Sequence, residues 1–473
     1  MDLDYAVASC EPDGTSRGRL PATSGSLLDF VRDPVACMRQ LYRAHGEIAA
    51  LDDQGSRLLF VFGPRYNQEV LSDSVRFHAR FFSIRGAKIS AQRRLTHALL
   101  TMNGDEHKRH RRVVMGPFSK QAVGGYRDGL AALAQQMVDE WRPGEVRDIL
   151  DDMTKYMLRV TSSILFGYDL PELAYDIGDH LDRWVAMNHQ VGIGALISDR
   201  EITDSYADLL GLADELERKV RAMIDYRRSA RALGTDVLSL LIRARDAGDS
   251  ELTDDDLIGQ AAVLFGAAHL TTAYSLTWTL FLLAQHPPVA EALSEELSRA
   301  LGGAAPTLGQ LEQLPLLEQV LKESMRVLPA SSYSQRVNAQ PLELGPFSLP
   351  KGTPIIFSQF ITHHMAHLYP EPERFLPERW RNLTPSPYAY LPFGAGPRMC
   401  LGTSLALMTM KIALPVILQR FRLQVVPGAE INAKVVSTML TPTNGMRMLL
   451  RERNAAWSAS PVRGNIHELV TLG

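Results

Sequence analysis

The chain has 473 residues, 45% of them hydrophobic, which is enough to bury a large core and excludes disorder as its main state. Lys and Arg number 50 against 53 Asp and Glu, a net charge of −3 that argues against a nucleic-acid binder. Three cysteines, Cys10, Cys37 and Cys400, are too few and odd in number for a disulfide scaffold, so a reducing cytoplasm is expected.

The N-terminal residues are polar and acidic and lack the apolar stretch of a secretory signal. Two short apolar runs, residues 47–51 and 58–62, flank Asp52-Asp53-Gln54-Gly55, which predicts a hairpin in a small β region. From about 106 to 246 the pattern turns helical, with Leu130, Leu133, Met137 and Trp141 at three- and four-residue steps.

Residues 257–285 contain no Asp, Glu, Lys or Arg, as a membrane span would. The segment also holds Gln260, His269, Thr271, Thr272, Tyr274, Ser275, Thr277 and Thr279, and it is preceded by three aspartates, so it reads as a buried helix and no membrane span. Thr253 with Asp256 resembles a capping box, and His286-Pro287-Pro288 stops the helix, giving a rod of about 45–50 Å.

Further helices are predicted over 289–301 and 315–328, then short strands within 342–360 around Pro350-Lys351-Gly352. Residues 369–392 are Pro-rich and aperiodic, the kind of long irregular segment that is kept for a functional reason. A last helix starts near Cys400 and is kinked or ended by Pro415. The expected organisation is a polar segment over 1–28, one mainly α domain with a small β region over 29–453, and a loosely held polar tail over 454–473.

Phe393-Gly394-Ala395-Gly396-Pro397-Arg398-Met399-Cys400-Leu401-Gly402 carries the most chemistry. Its glycines and proline impose a tight loop that sets a thiol near a helix N-terminus, where free N–H groups favour the thiolate, with Arg398 adding positive charge. An isolated cysteine is usually just a buried hydrophobe. A catalytic thiol needs a base, whereas a metal-ligating thiolate does not.

This loop resembles the haem-binding loop of the cytochrome P450 superfamily, F-x-x-G-x-x-x-C-x-G, through Phe393, Gly396, Cys400 and Gly402. Glu323-Ser324-Met325-Arg326 resembles the family's E-x-x-R, and Phe375-Leu376-Pro377-Glu378-Arg379-Trp380 its F-x-P-E-R-F/W segment. The resemblance implies a structural triad of Glu323, Arg326 and Arg379, and makes 369–392 the family's meander. His107 and Arg111 resemble its H-x-x-x-R; their spacing sets both on one helical face, and the resemblance implies contacts to haem carboxylates, with Arg336 as a further one. It also implies haem b in a single large domain, between Cys400 as axial ligand and the long helix.

On that helix the family carries A/G-G-x-D/E-T-T/S, where this chain has Ala267-Ala268-His269-Leu270-Thr271-Thr272. Thr271 takes the place of the oxygen-activating threonine, but Leu270 replaces the acid that helps to bring in protons. Thr271 has an alternative in a bond to the carbonyl four residues earlier, and His269 reads as a satisfied core histidine. His363, His364 and His367 lack the glutamate of a zinc motif.

The resemblance implies a soluble monooxygenase inserting one oxygen atom from dioxygen into an apolar or mixed small molecule, as in secondary metabolism. Electrons would come from a separate ferredoxin or flavodoxin-type carrier with its reductase, docking on a patch that includes Lys108, Arg109 and Arg112. Leu270 keeps a second chemistry open: peroxide-driven oxidation, rearrangement, dehydration or oxidative coupling. A non-catalytic haem-binding protein is the third. Substrate contacts are expected around 77–99, 193–215, 265–271 and 329–333, where Arg80, Arg85 and Arg93 read as solvated arginines in preference to partners of a substrate carboxylate.

Overall fold

The structure is a computed structural model describing residues 20–80, 86–197, 201–229, 233–248 and 252–473. Arg85, Cys10 and part of the 193–215 segment lie outside the described residues or side chains.

The core is helical, and its axis is the helix Asp254–Gln285. Both bonds of the predicted capping box are present between Thr253 and Asp256, and the helix stops at His286 before the prolines. Among the described residues it alone is long and apolar enough to cross a membrane. Most of its length is instead buried, packed chiefly against the helix Ile149–Phe166. Gly259 allows the chain at residues 94–97 to press onto this rod, because a Cβ there would clash with the carbonyls of Arg94 and His97.

The β region is larger than the sequence pattern suggested. The predicted hairpin forms as Ile48–Asp53 and Ser56–Val61, turning through Gln54 and Gly55 at φ of 46° and 89°. It sits within a six-stranded sheet ordered Ala22–Ser24, Ile48–Asp53, Ser56–Val61, Pro354–Phe357, Ser334–Asn338, Phe77–Ala79. Strands from opposite ends of the chain are therefore neighbours. Phe421–Val425, Arg447–Glu452 and Val146–Asp148 form a second sheet, and Asn432–Val436 pairs with Met439–Thr443.

Three expectations need correction. Ala22–Ser24 already pairs in the sheet and Ser26 caps the helix Leu27–Arg32, so a domain boundary at residue 29 falls inside ordered structure. Pro415 does not end the last helix, which runs Thr403–Leu418, because packing around the buried residues 412–418 outweighs the lost hydrogen bond. The segment after Arg453 is not loose. Ile466 and Val470 are buried, the Ile466 N–H donates to the carbonyl of Ile431, and that of Thr471 to Glu373 at 2.8 Å.

Candidate active site

The loop around Cys400 is a chain of local turns. Gly394 and Gly396 take φ of 67° and 72°, and Gly396 lies so close to the carbonyl of Leu71 that no Cβ fits. A single 3-10 turn, Gly396–Arg398, leads to Cys400, whose N–H returns to the carbonyl of Phe393 at 2.8 Å. Gly402 then opens the helix Thr403–Leu418, and the Thr403 hydroxyl donates to the Cys400 carbonyl at 2.9 Å.

The Cys400 side chain is accessible to solvent, with protein packed closely around its thiol. Burial raises the thiol pKa, opposed by the Gly402 N–H, the Thr403 hydroxyl and the charge of Arg111. The expected help from Arg398 is not seen, since that side chain turns away toward residues 99–103. A cationic metal would ionise such a thiol outright, which suits a ligand better than a free nucleophile.

Near the loop, His107, Arg111, Arg336 and Arg398 gather from separate elements. The helix Gly104–Val114 supplies the first two, the strand Ser334–Asn338 supplies Arg336, and the loop supplies Arg398. Burial and Arg398 push Arg336 down to about 10. Burial and Arg111 push Arg398 down to about 10. Burial, with Arg398, Arg111 and Arg336, pushes His107 down to about 4.

No carboxylate pairs with any of these groups among the described residues, and the buried Nε of Arg398 has no partner. A half-buried cationic cluster without an anion is costly unless a ligand supplies one. Two carboxylates on one edge of a haem would meet that need, and the Cys400 thiolate could supply a ligand to its iron, so the residues fit the group.

Behind the loop stands a buried ion cluster. Glu323 and Arg326 are both fully buried on the helix Pro315–Val327 and pair through bonds of 2.8 and 3.0 Å. Glu323 also accepts from Arg379 at 2.9 Å, from Trp380 at 2.8 Å and from the N–H of Leu376 at 3.0 Å. Arg326 donates onward to the carbonyls of His363, Pro372 and Arg374. The irregular 369–392 segment is thus fastened to one carboxylate and one guanidinium.

The cytochrome P450 family model matches residues 22–450. This chain belongs to the cytochrome P450 family. It is 30% identical over 431 residues to a cyclooctat-9-en-7-ol 5-monooxygenase of Streptomyces melanosporofaciens, spanning 88% of this chain and 91% of the relative. It is 25% identical over 452 residues to a pentalenene oxygenase of Streptomyces avermitilis, spanning 93% and 97%. Among solved structures, the haem domain of cytochrome P450DA superposes with a TM-score of 0.80 at 26% identity, over 92% of this chain and 97% of that one.

Beyond its first turn, the accessible residues on the long helix of this P450 are Val263, Gly266, Ala267, Ala268, Leu270, Thr271 and Tyr274, with the rest of the rod buried. Ala267 and its neighbour Ala268 are small enough to let a flat group approach. The Thr271 hydroxyl donates to the carbonyl of Ala267 at 2.9 Å. His269 is buried on the opposite side, between the Thr154 carbonyl at 3.1 Å and Asp182 at 3.2 Å, as a core histidine.

The histidine cluster is likewise structural. His363 is fully buried and accepts from the Leu391 N–H at 2.8 Å, while His364 stacks on Phe360 at 4.1 Å. No group of three or more metal-ligating side chains occurs among the described residues. Of the expected substrate segments, Ser332 and Tyr333 are anchored by hydrogen bonds to the carbonyls of Thr438 and Ser437. Arg80 and Arg93 are half-exposed.

Two residues beside the basic helix were not singled out as functional from the sequence. Gln260, fully buried on the long helix, accepts from the Leu99 N–H at 3.4 Å and contacts His110 at 3.3 Å. Asn103 contacts Arg398 at 2.8 Å. A lone amide gives no pattern to find, and the only available signal was Asn103-Gly104 directly before the basic helix.

Proposed function

We propose that this P450 inserts one oxygen atom from dioxygen into an apolar, polycyclic terpenoid, using electrons from a separate ferredoxin or flavodoxin-type carrier, in the cytoplasm. The observation that carries this reading is the enclosed Cys400 thiol on its glycine loop beside an unpaired cationic cluster. Haem bound there supplies an iron whose thiolate ligand pushes electron density toward dioxygen and favours O–O cleavage.

The chain's own residues hold and orient. Cys400 ligates, His107, Arg111, Arg336 and Arg398 fix the carboxylate edge, and Ala267, Ala268 and Leu270 offer a small apolar wall. Thr271 keeps its oxygen lone pairs free to accept a hydrogen bond from water, since its own hydroxyl donates to the Ala267 carbonyl. The terpenoid class rests on the names of the two Streptomyces relatives and on that apolar wall.

Leu270 favours a second reading, in which the same haem works with peroxide or rearranges its substrate without a proton relay from an acid. Turnover of polycyclic terpenes with dioxygen, NADPH and a surrogate carrier, set against turnover on peroxide, separates the two. A red-shifted Soret band in the reduced carbonyl complex, lost in Cys400→Ala, is expected on either reading. Survival of that band in Cys400→Ala overturns both.

A further inference from the structure

Asn103 occupies the position before the helix Gly104–Val114 where an amide commonly caps the first turn, yet it makes no capping bond. Gly104 follows at φ 58°, a left-handed turn that points the Asn103 side chain off the helix. Its Oδ1 accepts from the N–H of Ala79 at 2.8 Å and from Nη2 of Arg398 at 2.8 Å. Its Nδ2 donates to the carbonyl of Ala79 at 3.1 Å and lies 3.5 Å from that of Thr101.

Ala79 lies directly opposite Arg336 in the sheet register. One amide therefore joins the strand paired with Arg336, the loop of Arg398 and the helix of His107 and Arg111. The other partners of Arg398, the carbonyls of Met102 and Leu99, are backbone atoms on the same short stretch. Both terminal nitrogens are tied there, while the buried Nε has no partner.

We propose that Asn103 is a positioning residue for the cofactor: it acts through Arg398, turning the guanidinium so that its free donor meets a haem carboxylate. This rests on the reading that the cluster binds haem. The side chain touches no reacting atom. Its effect is on how long haem stays and how the carboxylate edge is held.

The experiment measures haem release from the holoenzyme into excess apomyoglobin, together with the carboxylate bending bands in resonance Raman spectra. Asn103→Ala is expected to speed release on the order of tenfold, the size of one charge-assisted hydrogen bond. In an Arg398→Ala background the same change is expected to have little effect, because the side chain it aims is gone. Equal acceleration in both backgrounds, with unshifted carboxylate bands, means a merely structural role and overturns the proposal.

Asn103→Ser, too short to bridge Ala79 and Arg398, gives the same comparison if Asn103→Ala does not fold. Failure of the wild type to hold haem at all defeats the underlying reading instead, so the two failures are distinct.

Discussion

Thr271 and Ala267 are joined by a hydrogen bond of 2.9 Å from hydroxyl to carbonyl, one turn apart on the long helix. This back-bond fixes the rotamer that keeps the hydroxyl oxygen on the accessible side of the rod. The packing role and the proposed catalytic role are therefore served by one geometry. The neighbour on that side, Leu270, can neither donate nor accept.

Thr271→Ala is expected to lower product formed per NADPH and raise peroxide release, with haem content unchanged. Leu270→Glu is the sharper probe: coupling improves if the acid finds water, and the helix loses stability if it does not. Product yield and peroxide, measured together, decide. Unchanged yield in Thr271→Ala alongside efficient peroxide-driven turnover moves the function to the second reading.

Glu323→Ala leaves Arg326 charged and fully buried, with only carbonyl partners. A loss of about 3–5 kcal/mol is expected from breaking a buried pair on one side. Urea unfolding followed by tryptophan fluorescence measures it. Arg379→Ala is expected to cost less, since Glu323 keeps Arg326, Trp380 and the Leu376 N–H.

Acid stability has a definite sign at His363. Burial, then the charge of Arg326, pushes it down to about 3. The ordinary value is about 6.5. As pH falls between these values the unfolded chain takes up a proton that the folded one refuses. Stability is thus full above the upper value and falls toward the lower. His363→Gln can still accept from the Leu391 N–H, so its unfolding midpoint should vary less with pH across that window.

Electron delivery makes a further test. Arg112 is exposed on the helix whose Arg111 donates to the Met399 carbonyl beside Cys400, whereas Lys108 is already paired with Asp105 at 3.0 Å. Arg112→Glu is expected to slow reduction by an acidic carrier at low salt more than Lys108→Glu does. The gap should close as ionic strength rises. Stopped-flow reduction rates across a salt series would show a flat response if this surface is not the docking site.

The cysteine loop and the cap of the long helix were legible because each depends on residue types at fixed local spacing, whereas Arg379, 56 residues from Glu323, was joined to it only through the family resemblance. Thr253 with Asp256, and Cys400 between its glycines, are contacts made within a few residues. The strand Ala22–Ser24 was not legible, because its partner Ile48–Asp53 is separated from it by two helices and short strands carry little pattern. Asn103 was missed for a related reason: its partners Ala79 and Arg398 are 24 and 295 residues away. The aim of Arg398 was misjudged likewise, since nearness to Cys400 in sequence says nothing of which carbonyls its guanidinium will find.

The bond from Thr471 to Glu373 has a consequence for biosynthesis. Glu373 lies between Pro372 and Arg374, whose carbonyls hold the buried guanidinium of Arg326. A nascent chain extended only to Arg453 already contains the cysteine loop and the cationic clamp, yet the segment behind them lacks its brace. The segment that holds Arg326 would therefore be fully braced only once the residues around Ile466 and Thr471 have left the ribosome and docked.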